Sequence, residues 1–225
     1  MVLDATAHGR TKARLGRAFV RSPRQPKEVS VRVTPRLVCS VVALVLLAGS
    51  TGAAQYAQTR EGFWIGLGGG WGDAVLSCSP NCTFTEAAKG GGATAWVKLG
   101  GTLRRDVLLG VELNAWVKSV GGSTESVGNA SAAVYYYLMP DGGLFLKGGV
   151  GYATFRPTSG STSSGSGFGA IAGAGYDVRI GRNVSLTPVA NFFFGDDGHV
   201  TGGGLTVPQA VKHSVIDLGV GITFH

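Results

Sequence analysis

Large apolar side chains hold every second position of the segment that ends the chain, "SVIDLGVGITFH". Ile216, Leu218, Val220, Ile222 and Phe224 alternate without a slip against Asp217, Gly219, Gly221 and Thr223. Successive side chains of an extended strand point to opposite faces, so this ribbon has one apolar face and one small or polar face. The rhythm recurs seven more times upstream. "GFWIGLGGGWG" sets Phe63, Ile65, Leu67 and Trp71 on one face, and "ATAWVKLGG" sets Ala93, Ala95, Val97 and Leu99 against Thr94, Trp96 and Lys98. "VLLGVELNAWVKS" opposes Val107, Leu109, Val111, Leu113, Ala115 and Val117 to Glu112, Asn114, Trp116 and Lys118. "NASAAVYYYLMP", "GLFLKGGVGYATF", "FGAIAGAGYDVRI" and "NVSLTPVANFFFG" continue the series. No segment carries a convincing helical period, so the pattern predicts eight strands and an all-β meander.

Alternation alone does not say whether the apolar face meets a protein core or lipid. The distribution of charge does. Each apolar face is free of Asp, Glu, Lys and Arg, and the charges within strands fall on the other face: Lys98, Glu112, Lys118, Lys147, Asp177, Arg179 and Asp217. That face is too poor in charge and too rich in glycine to be a solvated exterior. Its nearly balanced charges suit pairing inside a narrow lumen, where an eight-stranded barrel has room only for side chains. Closure of the sheet also removes the unpaired strand edges that lipid does not tolerate. The expected fold is therefore an eight-stranded antiparallel up-and-down transmembrane β-barrel. Lys98, Glu112, Lys147, Asp177, Arg179 and Asp217 are expected to form an ion-pair network that plugs its lumen.

The connections alternate as well. Those after the second, fourth and sixth strands are short ("GTLRRD", "MPDGG", "GRN"), whereas others are long and polar, such as "PTSGSTSSGSG" and "GDDGHVTGGGLTVPQA". Short periplasmic turns and longer extracellular loops are the expected arrangement, with both termini on the periplasmic side. Pro188 falls mid-strand, where it removes a ladder hydrogen bond, and a local bulge or kink is expected there.

The net charge of +7 invites a nucleic-acid partner, but it is unevenly placed. Residues 1–54 hold nine Lys/Arg against Asp4 and Glu28, while residues 55–225 hold eleven basic and eleven acidic side chains. The barrel region is neutral, which removes the electrostatic case for DNA or RNA. The basic excess belongs to a leader: Arg36 precedes an apolar run from Leu37 to Gly49, followed by small residues to Ala54. This is the layout of a secretory signal peptide, so residues 1–54 are read as a signal peptide with a long basic extension and residues 55–225 as the barrel domain. Translation beginning near Val29 or Val31 gives a leader of ordinary length. Cys39 departs with the leader, and export favours a disulfide between Cys78 and Cys82 of "CSPNC".

"GLFLKGGVGYA", "GAGYDVRIGRNVSLTPVANFF" and "DLGVGITFH" resemble the outer-membrane β-barrel domain family, the small eight-stranded barrels of the OmpA/OmpX type, over roughly Gly62 to His225. The resemblance implies outer-membrane lipids as the surroundings, in a bacterium with two membranes. It also implies recognition of Ile216, Leu218, Val220, Ile222 and Phe224 by the barrel assembly machinery as a C-terminal signal. Here Phe224 is penultimate because His225 follows, a departure from that pattern.

Chemistry-bearing motifs are few. "HS" at His213–Ser214 places neighbours on opposite strand faces, so base and hydroxyl diverge. "GLGGGWG" lacks the helix that a dinucleotide site needs, and its glycines are expected to ease curvature and close packing. Trp96, Trp116, Tyr135 and Tyr137 share the polar parity, as lumen fillers or interface aromatics. Tyr136, Tyr152, Tyr176, Phe192 and Phe194 are on the lipid-facing parity. The expectation is a non-enzymatic protein without cofactor or metal, structural or adhesive, with a possible surface ligand on its long loops. A narrow solute pore is the alternative, and a secreted soluble lipid-binding barrel is a second.

Overall fold

The computed structural model describes residues 60–79, 89–159, 161–202 and 205–225. The leader, its cleavage site, the choice of start and the Cys78–Cys82 pairing lie outside the described residues. The described chain is all strand and turn: β1 (Phe63–Ser79), β2 (Lys89–Arg104), β3 (Val107–Val120), β4 (Ser123–Tyr137), β5 (Leu144–Ser159), β6 (Ser161–Tyr176), β7 (Val178–Arg179), β8 (Val184–Gly202) and β9 (Leu205–Phe224). Strands adjacent in sequence pair antiparallel, except β6 and β7. β1 pairs with β9, and β6 and β7 both pair with β8, which closes the sheet. β6 and β7 are one stave interrupted at Asp177, so the nine segments form a closed eight-stranded up-and-down barrel.

That interruption is the irregularity found at Pro188, where a local bulge or kink was expected. The β6–β8 ladder stops at Gly175↔Val189, and the β7–β8 ladder resumes at Val178↔Leu186, three residues on along both strands. No residue is inserted. The ladder is broken opposite Pro188, which has no N–H to donate. On its other side Pro188 keeps register with Val220 of β9.

The polar segments read as loops are largely strand. β3 passes into β4 through a two-residue turn at Gly121–Gly122, with φ of 60° and 85°. Both residues occupy the left-handed region that a tight hairpin turn of this twist demands and that glycine adopts freely. Ser159↔Ser161 and Gly202↔Leu205 likewise pair at the ends of their hairpins. Ser, Thr and Gly carry no apolar rhythm there, but a hydrogen-bonded ladder needs none. The barrel wall thus rises well beyond its apolar belt at the end opposite the termini.

The belt itself follows the predicted parity. Phe63 is 64% exposed and its neighbour Trp64 is 2% exposed; Val111 is 47% exposed and Glu112 is fully buried. Outward residues in register run continuously round the wall, for example Leu67, Val97, Leu113, Ala130, Tyr152 and Phe168. On β1 the belt spans Phe63 to Trp71, a length that crosses a hydrocarbon layer at a tilt. Exposed Phe63, Tyr136 and Phe224 mark its terminal edge, and exposed Trp71, Tyr152 and Phe168 mark its distal edge. Among the described residues, outward charges appear only past these edges: Asp73, Lys89, Arg156, Asp196 and Lys212 on the distal side, Arg104 and Arg105 on the terminal side. Belt aromatics and flanking charges are the arrangement an interface selects.

Candidate functional site: the barrel lumen

Inward side chains fill the lumen in three successive layers. The layer nearest the termini is built around Asp177, at the break between β6 and β7. Tyr137 Oη donates to Asp177 Oδ2 at 2.6 Å and Thr187 Oγ1 donates to Oδ1 at 2.6 Å. Thr223 shares a 2.9 Å hydrogen bond with Thr187, and His225 Nε2 lies 3.3 Å from Asp177 Oδ2. Arg60, just before β1, lays its guanidinium 3.5 Å from the centroid of the Tyr137 ring. It also donates to the carbonyls of Pro140 (2.8 Å) and Gly142, in the turn between β4 and β5. Arg60 therefore ties the segment entering β1 to a turn on the other side of the barrel mouth. The His225 imidazole is pushed below its ordinary value because burial outweighs the attraction of Asp177. The main-chain N–H of His225 donates to Asn183 O at 2.9 Å and fixes the end of the last strand.

The middle layer centres on Glu112. Lys147 Nζ donates to Glu112 Oε1 and Tyr135 Oη to Oε2, and all three side chains are buried. Lys98 enters the same layer with its ammonium 5.1 to 5.7 Å from the ring centroids of Trp64, Trp96, Tyr135 and Phe145. These rings pack edge to face or tilted: Trp64 on Tyr135 at 5.0 Å, and Phe145 on Tyr137 at 5.3 Å. A cation over aromatic faces gains electrostatic attraction that its lost hydration would otherwise outweigh. Asp217 accepts from Asn191 Nδ2 at 3.0 Å.

The outer layer holds Trp116, whose Nε1 donates to Gly72 O at 3.0 Å, and a polar cluster of Asn129, Asp197 and His213. Here β8 bulges: Asp196 pairs with Lys212 and Gly198 with Val211, which leaves Asp197 as the extra residue. Gly198, with φ of 62°, accommodates the bend.

Glycines on neighbouring strands make room for the large lumen rings. A Cβ at Gly68 would lie 2.4 Å from Trp96, one at Gly92 2.6 Å from Trp116, and one at Gly175 2.5 Å from Phe145. The glycine-rich parity is thus the steric complement of the aromatic residues that share it.

All six charges expected in the lumen are buried there. Glu112 and Lys147 pair with Lys98 alongside, Asp177 and Arg179 belong to the terminal layer, and Asp217 binds Asn191. Trp96, Trp116, Tyr135 and Tyr137 are all lumen fillers, whereas Tyr136, Tyr152 and Phe192 are exposed on the belt. Ile216, Leu218, Val220, Ile222 and Phe224 are exposed along the outer face of β9. Sequence reasoning missed Arg60, Asn129, Asp197 and the lumen position of His213. His213 shares the parity of Asp217 and was legible on that ground. Asp197 depends on a bulge, and Arg60 precedes the alternation, so neither carries a periodic signal. Among the described residues no group of three His, Cys, Asp or Glu side chains is placed to hold a metal ion.

No protein-family model matches the chain, and no curated protein matches it in sequence. Among solved structures it is similar to Neisserial surface protein A from Neisseria, at 15% identity over 73% of this chain and 97% of that one, with a TM-score of 0.47. It is similar to Ail, the attachment invasion locus protein of Yersinia pestis, at 15% identity over 73% of this chain and 100% of that one, with a TM-score of 0.47. It is also similar to the outer membrane protein OprG of Pseudomonas aeruginosa, at 15% identity over 75% of this chain and 99% of that one, with a TM-score of 0.47.

Proposed function

We propose that this chain is an integral outer-membrane protein without enzymatic activity, whose barrel is an anchor and whose tall distal hairpins make surface contacts. The observation that carries the reading is the pairing of two opposite faces on one wall. An uncharged belt with aromatic edges faces outward, and among the described residues every Asp, Glu, Lys and Arg side chain at the same height faces inward. A soluble barrel has the reverse polarity, so hydrocarbon is the medium that this exterior fits.

The lumen supports anchoring over transport. Trp64, Trp116, Tyr135, Phe145 and the Glu112–Lys147 pair occupy the cross-section at successive heights, and each is within 8% of complete burial. A water-filled pore would leave such groups solvated. The chain reaches its membrane through a cleaved leader and through recognition of the β9 outer face by the assembly machinery. Its partners are membrane lipids and, on the hairpins, a surface ligand; nucleic acid is not among them.

Two measurements test this. Carbonate and urea extraction of cell envelopes should leave the mature protein in the detergent-soluble membrane fraction; release into the aqueous phase would overturn membrane insertion. Refolded protein in planar bilayers should give no sustained conductance; steady single-channel steps would replace the anchor with a narrow pore.

A further inference from the structure

Five buried polar atoms in the stretch between the Glu112 layer and the Asn129–His213 cluster make no hydrogen bond to any described residue. They are Thr94 Oγ1 and Trp96 Nε1 of β2, Asn114 Nδ2 of β3, Ser131 Oγ of β4 and Asn191 Oδ1 of β8. Buried groups of this kind are paired in native folds, either with protein or with ordered water.

The five share one band of the inner wall. Trp96 and Asn114 are partners in register, as are Ser131 and Glu112, and Asn191 and Asp217. Thr94 approaches Asp217 over a glycine of β1: a Cβ at Gly72 would lie 3.1 Å from Thr94 and 2.7 Å from Asp217. Gly70, Gly149, Gly151 and Gly219 are inward positions of the same band and bring no side chain to fill it.

The band has room, and both ends are shut. Thr94 keeps 7% of its surface accessible and Asn114 5%, whereas Trp116 and Val215 beyond them keep none. On the distal side Leu76, Val127, Phe155 and Val211 are buried apolar side chains, and toward the termini Trp64, Tyr135 and Phe145 are buried rings. The surface that Thr94 and Asn114 retain therefore borders an internal space.

The mixture of groups decides what fills that space. An indole N–H only donates, an amide oxygen only accepts, and the two hydroxyls do both. A bare cation would satisfy the oxygens and leave the Trp96 N–H facing a like charge. An anion would meet the Asn191 oxygen and the Asp217 carboxylate with repulsion. Water donates and accepts, and a buried water makes about three hydrogen bonds, so about two waters serve all five atoms.

We infer that the middle of the lumen is a sealed chamber holding a small cluster of structural waters that bridges β2, β3, β4 and β8. The inference rests on the closed barrel and not on its role as an anchor. Trp64 Nε1 and Ser185 Oγ, nearer the termini, lie outside the chamber. Its water is held as part of the fold, so the hydroxyls of Thr94 and Ser131 stabilise the barrel.

The test uses the mature barrel refolded in detergent and ¹⁵N-labelled at tryptophan, with Trp96 Hε1 identified by its loss in Trp96→Phe. Trp96 Hε1 should show a cross-peak to water with the sign of a long-lived contact. Trp116 Hε1, which Gly72 O already accepts, should show none. The Trp96 proton should also exchange slowly into heavy water. A missing Trp96 cross-peak, or exchange as fast as that of an open indole, would overturn the inference. Thr94→Val supplies a second readout, because the two side chains have nearly the same shape. Removing a hydroxyl that binds water should lower the midpoint of urea unfolding. In a dry band the same change removes an orphaned hydroxyl, so an unchanged or higher midpoint would also overturn it.

Discussion

Glu112 holds the middle of the lumen together because two lysines and a tyrosine converge on or beside it. Glu112→Gln leaves the Lys147 ammonium buried without an anionic partner, and removing one member of a buried pair costs about 3–5 kcal/mol. Urea unfolding from lipid vesicles should show a loss of that order, and the double variant Glu112→Met with Lys147→Met should recover most of it. Glycine substitutions separate steric room from mere content. Gly68→Ala drives a methyl into Trp96 and against the backbone of Gly221, so it should destabilise by about 1–3 kcal/mol or more. Gly101→Ala, whose added methyl has nothing nearer than 4.0 Å, should melt like wild type. His225 contributes on the acid side. Its imidazole is held below the ordinary value by burial, so its contribution is present above about pH 6.5 and is lost as pH falls through the lowered value. His225→Asn should flatten the fall in melting temperature on acidification.

Each strand is a two-sided element whose outer side must stay uncharged only within the belt. Val111→Lys on β3 and Leu218→Lys on β9 put an ammonium at belt height, where the cost is about 2–4 kcal/mol at the middle of a bilayer. Insertion of refolded protein into vesicles should fall in both variants. Ser126→Lys is the matched control: it is outward but at the height of Arg156, its partner in register, and should insert normally. The strands also show where sequence patterns stop being informative. Phe63–Trp71 and Ile216–Phe224 alternate because one side meets an apolar medium and the other does not. The extension of β5 and β6 to Ser159 and Ser161 has no such contrast, so it looks like loop although its backbone is paired. Strand lengths of 14 residues in β3 and 20 in β9 are set by hairpin closure, not by side-chain rhythm.

At the scale of the molecule, the barrel has a filled interior, fastened at one mouth by Arg60 and at the other by His213. The two fastenings use residues far apart in the chain: Arg60 meets the turn at Pro140–Gly142, and His213 meets Asn129. Strand number, which face looks outward and the inward position of Lys98, Glu112, Lys147, Asp177, Arg179 and Asp217 were all determined by the sequence itself. Period-two alternation is a local property, and burial of charge follows from it directly. Only the tertiary structure decided how those charges group into layers, that Pro188 breaks a ladder without adding a residue, and that Asp197 turns inward at a bulge. Those outcomes depend on register between strands, and register is settled when the sheet closes on itself.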